Sequence, residues 1–193
     1  MKKLPYIIRV LTVAPLMALA MLLILYFRDP AFFGNTLHFA LAVVFLVVFP
    51  LLAYPLQRFS PKYKDKGREG QRALAFVFAV TGYVLGCASA LILPTPTNVL
   101  IIYVSYLLSG VIAIALNRLL HFKASGHACG IVGPFLLLVY FGSAAGFIGF
   151  LVLAAAWAAS IYMKRHTHAQ LAAGGLIPFA ALALVAAVLA ALG

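Results

Sequence analysis

Apolar residues along this chain fall into long runs separated by short polar stretches. The runs cover roughly 7–27, 37–57, 73–93, 98–118, 128–142, 144–163 and 171–192. Apolar residues follow one another inside them without alternation, which is not the pattern of barrel strands. About 20 residues at about 1.5 Å of rise match a hydrocarbon core about 30 Å thick. The runs therefore predict an all-α polytopic transmembrane helix bundle. Residues 128–163 are too many for one crossing, and Gly142, Ser143 and Gly146 divide them into a helical hairpin. Seven spans result; six, with 128–142 re-entrant, is the alternative. Lys2 and Lys3 precede the first run as they would in a leader, but the run is long and further spans follow, so it reads as the first span.

Composition agrees. Of 193 residues 66% are hydrophobic and 9% charged, and the mean hydropathy is +1.13. A soluble domain carries about 25% charged residues, so too little polar surface exists to cover a water-soluble globule. No soluble domain, linker or repeat interrupts the chain, which reads as a single transmembrane domain over 1–193. Charge then orients it. The basic residues fall at the N-terminus and in 58–72, 118–127 and 164–170, and with seven spans these share one side. Thirteen of the fourteen Lys and Arg lie there, with Arg28 alone opposite. The positive-inside rule makes that side, and the N-terminus, cytoplasmic.

The net charge of +11 is set in short loops between spans, which argues against nucleic acid and for anionic lipid headgroups or phosphate-bearing substrates. Asp29, Asp65 and Glu69 are the only acidic residues, and none lies deep in a run. That disfavours carboxylate proton relays and magnesium-dependent prenyl chemistry, which needs acidic ligands. Cys87 and Cys129 suggest neither a disulfide framework nor a metal site. His38 reads as a satisfied interfacial histidine, Trp157 and the tyrosines as packing or interfacial anchors. Pro15, Pro50, Pro55, Pro134 and Pro178 read as kinks or helix ends.

Two basic segments carry candidate chemistry. In Lys123-Ala-Ser-Gly-His127, Ser125 and Gly126 open the fifth span. A helix start offers free N–H groups and partial positive charge to a phosphate. Ser125 adds a hydroxyl, Gly126 lets the backbone approach, and Lys123 brings full charge. The plainer reading is a serine cap beside a snorkelling lysine. In Arg165-His-Thr-His-Ala-Gln170, His166 and Gln170 stand four apart. One helix face would bring them together, with Gln170 accepting from the imidazole Nδ1–H. The plainer reading is a cluster that binds lipid headgroups.

In this order the two segments resemble the type 2 phosphatidic acid phosphatase superfamily of membrane lipid phosphatases. That family reads Lys-x6-Arg-Pro, then Pro-Ser-Gly-His, then Ser-Arg-x5-His-x3-Asp. Ala124-Ser-Gly-His127 matches the second motif without its proline, and Ser160-x5-His166-x3-Gln170 keeps the spacing of the third. His166-Thr-His-Ala-Gln170 with Ala172-Ala-Gly174 looks like a bacterial branch reading His-Thr-Pro-Ala-Gln with a downstream Ala-Gly. Asn117 and Lys123-Ala-Ser125-Gly-His127 also fit that branch, whose second motif often follows an Asn and reads Lys-x-Ser-x-His. The resemblance covers roughly 62–174, within a phosphatase-like core of about 58–193. Ser160 stands where the family has Arg, Gln170 where it has Asp, and Arg72 is followed by Ala73 rather than proline.

The resemblance implies a lipid phosphatase acting on a phosphate monoester or diphosphate of a lipid or isoprenoid, without metal or other cofactor. It implies His166 as nucleophile forming a phosphohistidine, His127 as general acid and Gln170 as orienter. Lys123, Ser125, Gly126, Arg68 and Arg72 would bind phosphate, with Arg165 partly replacing the missing arginine. The implied setting is a bacterial cytoplasmic membrane, with the site on the basic side. The alternatives are a weak or inactive homologue that binds or moves anionic lipid phosphates, and a structural membrane subunit without a lipid site.

Overall fold

In the computed structural model residues 3–192 are described, and every regular element among them is helical. Lys2 lies outside the described residues. Helix α1 (Lys3–Leu11) leads into α2 (Ala14–Arg28) through a bend of 51°. The bend has a local cause: Pro15, in the first turn of α2, has no N–H to give the Leu11 carbonyl. The run expected as the first span is thus a pair of helices bent at the proline expected to kink it. The remaining helices are α3 (Thr36–Phe59), α4 (Lys64–Ile92), α5 (Thr97–Leu119), α6 (Gly126–Tyr140), α7 (Ala144–Tyr162) and α8 (His168–Leu192).

Five of these, α3, α4, α5, α7 and α8, are long and apolar enough to cross a membrane, and α1 with α2 makes a sixth if the bent pair counts as one span. Helix α6 has 15 residues, about 22 Å of rise, short of a core about 30 Å thick. It stops where the glycines divide the apolar run. Gly142 adopts φ 73°, the left-handed conformation that closes a helix C-terminus. Its N–H bonds the Val139 carbonyl at 2.9 Å and the Ser143 N–H bonds Leu138 at 2.8 Å, so the freed carbonyls are met before α7 begins.

The short helix is central. It packs against α2, α7 and α8, while α5 packs on α4 and α8, and α3 on α4. Met21, Leu22 and Leu25 of α2, Ile102 and Tyr103 of α5, and Ile131 and Leu138 of α6 are fully buried or nearly so. Large apolar side chains such as Leu91, Phe150, Leu151 and Leu184 face outward, as helices with lipid for a solvent present them.

The turns gather at two ends. Arg28 donates to the Phe141 carbonyl at 2.9 Å, and Gly34 lies against Pro96. At the other end, the Ser125 N–H before α6 donates to the Gln170 carbonyl of α8 at 2.9 Å. This second junction depends on Gly174. A Cβ there would sit 2.2 Å from the Ser125 carbonyl oxygen, a contact with backbone that no rotamer relieves. At Gly126, the residue after Ser125, a Cβ would meet nothing within 4 Å. We therefore expect Gly174→Ala to destabilise the detergent-solubilised protein by about 1–3 kcal/mol through overpacking, and Gly126→Ala to stay within about 0.5 kcal/mol of wild type. Thermal unfolding of the two variants checks this, and equal unfolding temperatures would remove the case for the junction.

Candidate active site

The candidate site forms where the start of α8 meets the start of α6, beside the α1–α2 bend, while α1 itself lies along α7. Ser125 is the N-cap of α6: it has extended backbone, and its Oγ accepts from the Ala128 N–H at 3.3 Å. The residue is 0% exposed, so its side chain serves the helix start. Gly126 and Lys123 are exposed beside it, and His127 is half-buried in the first turn.

Thr167 opens α8 with a capping box. Its hydroxyl accepts from the Gln170 N–H at 3.3 Å, and Gln170 Oε1 accepts from the Thr167 N–H at 3.2 Å. The same Oε1 lies 3.2 Å from Nδ1 of His166. The spacing of four residues thus brings the two side chains together for a reason other than a shared helical face. His166 precedes the helix, and the cap folds Gln170 back toward it. The cap also fixes the amide's orientation, because the Thr167 N–H requires an acceptor. His166 therefore donates through Nδ1–H, and its Nε2 carries the lone pair.

Helix α1 and the residue after it supply two side chains that the motifs do not contain, Arg9 and Thr12. Thr12 Oγ1 donates to the Ile8 carbonyl at 2.8 Å and lies 3.0 Å from Nε2 of His127. Its one proton is engaged by Ile8, so it accepts from the His127 Nε2–H. Arg9 donates to Ser160 Oγ, and Ser160 in turn donates to the Ala156 carbonyl at 2.6 Å. The signal for Arg9 was present in the sequence, as a charge inside an apolar run. Thr12 had no comparable signal.

The charges reaching His166 are all positive: Arg72 of α4, Arg9 of α1 and Lys123 of the loop before α6. Both α4 arginines proposed from sequence are exposed; Arg72 is the one whose charge reaches both histidines, and Arg68 lies one turn earlier. Arg165 is half-buried and close enough to act on Arg9. His168 turns away, with its Nδ1 accepting from Trp157 Nε1–H at 2.9 Å. Among the described residues no three His, Cys, Asp or Glu side chains are grouped to hold a metal ion.

Burial, first, holds the His166 imidazole below its ordinary protonation range. The hydrogen bond to Gln170 opposes this, and Arg72, Arg9 and Lys123 reinforce it. A neutral imidazole with one fixed proton and one free lone pair is the form that attacks an electrophile. Comparison with protein-family models, with curated proteins and with solved structures yields no match.

The charge balance around His166 is testable without an assay of activity. A lowered pKa means that the ring remains neutral on acidification past the ordinary imidazole value of about 6.5. NMR titration of histidine-labelled protein, with the His166 signal assigned by its loss in His166→Asn, should give a midpoint below that value. Gln170→Glu places a carboxylate where the amide oxygen lies, favours the imidazolium and should raise the midpoint. A wild-type midpoint at or above about 6.5 contradicts the described environment.

Proposed function

We propose that this chain is an integral membrane phosphatase that hydrolyses a phosphate monoester or diphosphate of a lipid or isoprenoid through a phosphohistidine, without a metal. The reading places seven crossings in the cytoplasmic membrane of a bacterium, with the N-terminus and the basic site on the cytoplasmic side. The observation that carries it is the junction of the two histidine segments, with the Nδ1 of His166 tied to an oxygen that a helix cap has already oriented. Residues from distant parts of the chain come together there, and the roles given them below are those that the motif resemblance implies.

In this reading Nε2 of His166 attacks phosphorus. The N–P bond forms as the P–O bond to the lipid breaks, and His127 gives the leaving oxygen its proton. Water then attacks the phosphohistidine, His127 takes the water's proton, and His166 and inorganic phosphate are restored. A phosphate dianion supplies the negative charge that favours the protonated form of His127. Arg72, Lys123 and the open helix start at Gly126 hold the phosphoryl oxygens.

Gln170 sets the rate. In a serine-protease triad, replacing the orienting Asp by an amide costs about 10⁴-fold, largely through the wrong tautomer. The Thr167 cap removes that part of the penalty here, because it leaves Oε1 as the atom facing His166. What remains lost is the carboxylate's charge as the ring becomes positive. The second reading, a lipid-phosphate binder without turnover, rests on that lost charge and on Ser160 in place of an arginine.

Purified protein should release inorganic phosphate from a panel of lipid monophosphates and isoprenoid diphosphates in the presence of a chelator. His166→Ala should abolish release by on the order of 10³-fold or more. Equal release by both proteins rules the proposal out, and binding of the panel without any release favours the second reading. Cysteine at Lys123 should react with an impermeant maleimide only from the cytoplasmic face; labelling from outside inverts the topology.

A further inference from the structure

Helix α1 carries no side chain into the core, yet it reaches the site twice. Arg9, in the last turn of α1, and Thr12, the residue after it, stand three apart, and the Thr12 N–H still bonds the Ile8 carbonyl at 3.0 Å, which keeps both on one face. Thr12 meets His127 on α6 and Arg9 meets Ser160 on α7. These are the two strands of the site that the capping box of α8 does not reach.

The chemistry of Arg9 goes beyond anchoring a helix. Ser160 is 0% exposed and its hydroxyl proton is already given to Ala156. Its oxygen therefore takes one N–H of the guanidinium and leaves the other donors uncommitted to it. Arg9 is only half-buried, and its charge is felt at both His127 and His166. It shares the site with Arg72 and Arg165, both of which repel it. Bringing three like charges together is unfavourable unless an anion joins them. Asp29, the acid nearest in sequence to α1, caps a turn at the far end of α2, where its carboxylate accepts from the Ala31 N–H.

We infer that Arg9 is a phosphate-binding residue of this site, delivered by the N-terminal helix to the position where Ser160 leaves a side-chain charge absent. This rests on the phosphatase reading and deepens it. The guanidinium donates to a non-bridging phosphoryl oxygen while Ser160 fixes its other edge. The helix pair α1–α2 then belongs to the catalytic unit, and the core read from the motifs, about 58–193, is incomplete without it.

Orthovanadate, which mimics the phosphoryl group, tests this on the full-length protein in detergent. Its affinity is read from thermal stabilisation, alongside phosphate release. Arg9→Gln keeps a donor for Ser160 and removes the charge. It is expected to weaken vanadate roughly 10- to 100-fold, the loss of a charged hydrogen-bond donor, and to lower kcat/KM roughly 10²–10³-fold. Arg9→Lys should recover part of both. Ser160→Ala removes the tie and keeps the charge, and should cost far less than Arg9→Gln. In Arg9→Gln with Ser160→Arg, the charge returns on the neighbouring helix and vanadate affinity should rise above that of Arg9→Gln alone.

If Arg9→Gln binds vanadate and turns over like wild type while His166→Ala is inactive, Arg9 is not a ligand and the phosphatase reading stands. If Arg9→Gln and Ser160→Ala lose the same affinity and the same thermal stability, the pair is a structural tie and the inference fails. If His166→Ala releases phosphate like wild type, the phosphatase reading itself fails, whatever Arg9 does to vanadate. Should Arg9→Gln not fold, Arg9→Lys decides: vanadate affinity lowered in folded protein while Ser160→Ala stays near wild type supports the inference, and an affinity equal to wild type overturns it.

Discussion

The hydrogen bond from the Ser125 N–H to the Gln170 carbonyl, made possible by the missing Cβ of Gly174, holds the functional end of this bundle together. Helix α6 is shorter than the apolar layer it lies in, so an end of it has to be met by protein or by a locally thinned layer. An unpaired backbone N–H in an apolar setting costs several kcal/mol. Helix α8 meets that need by placing its first turn directly against the α6 start. Once this contact exists, the two histidine-bearing loops have little freedom left. The fold thus satisfies the end of a buried helix and assembles the site with the same atoms.

Electrostatics at this end run in one direction. Burial first, then the charges of Arg72, Arg9 and Lys123, push His166 toward its neutral form, and the hydrogen bond to Gln170, which orients the ring without adding charge, pushes back. An aspartate in that position would give a more basic ring and a second anion for the arginines to bind. The glutamine leaves the cations uncommitted to it. A phosphorylated ligand entering such a site meets a field that is positive on several sides, with the helix start of α6 adding its partial charge. The arrangement thereby favours affinity for anions over stabilisation of positive charge on the imidazole.

The apolar bodies of the long helices were legible in the sequence because hydropathy decides them, whereas the polar first turns of α4, over 64–72, fall in a stretch read as a loop. The division at Gly142 was legible too, since a left-handed C-terminal residue favours glycine and two more breakers flank it. Pro15 marked the α1–α2 bend, but an apolar run of the right length hid its size. The contact of His166 with Gln170 was anticipated on a helical spacing, whereas the structure makes it through Thr167, because a capping residue outside the helix folds the third residue back. The partnership of Arg9 with Ser160 joins residues 151 positions apart. No local pattern encodes such a pair. Arg9 could be flagged as a charge among apolar residues, but its partner depends on how α1 leaves the bend.

The 51° bend also makes the two ends of the described chain unequal neighbours of the site. Lys3 stands six residues before Arg9, on the helix that meets Ser160. Leu192 stands at the far end of α8, a helix of 25 residues and about 37 Å long, whose other end carries the site. A fluorescent protein, affinity handle or surface tether joined ahead of Lys3 would press on the guanidinium's own support. The same attachment beyond Leu192 would hang from the opposite face of the bundle.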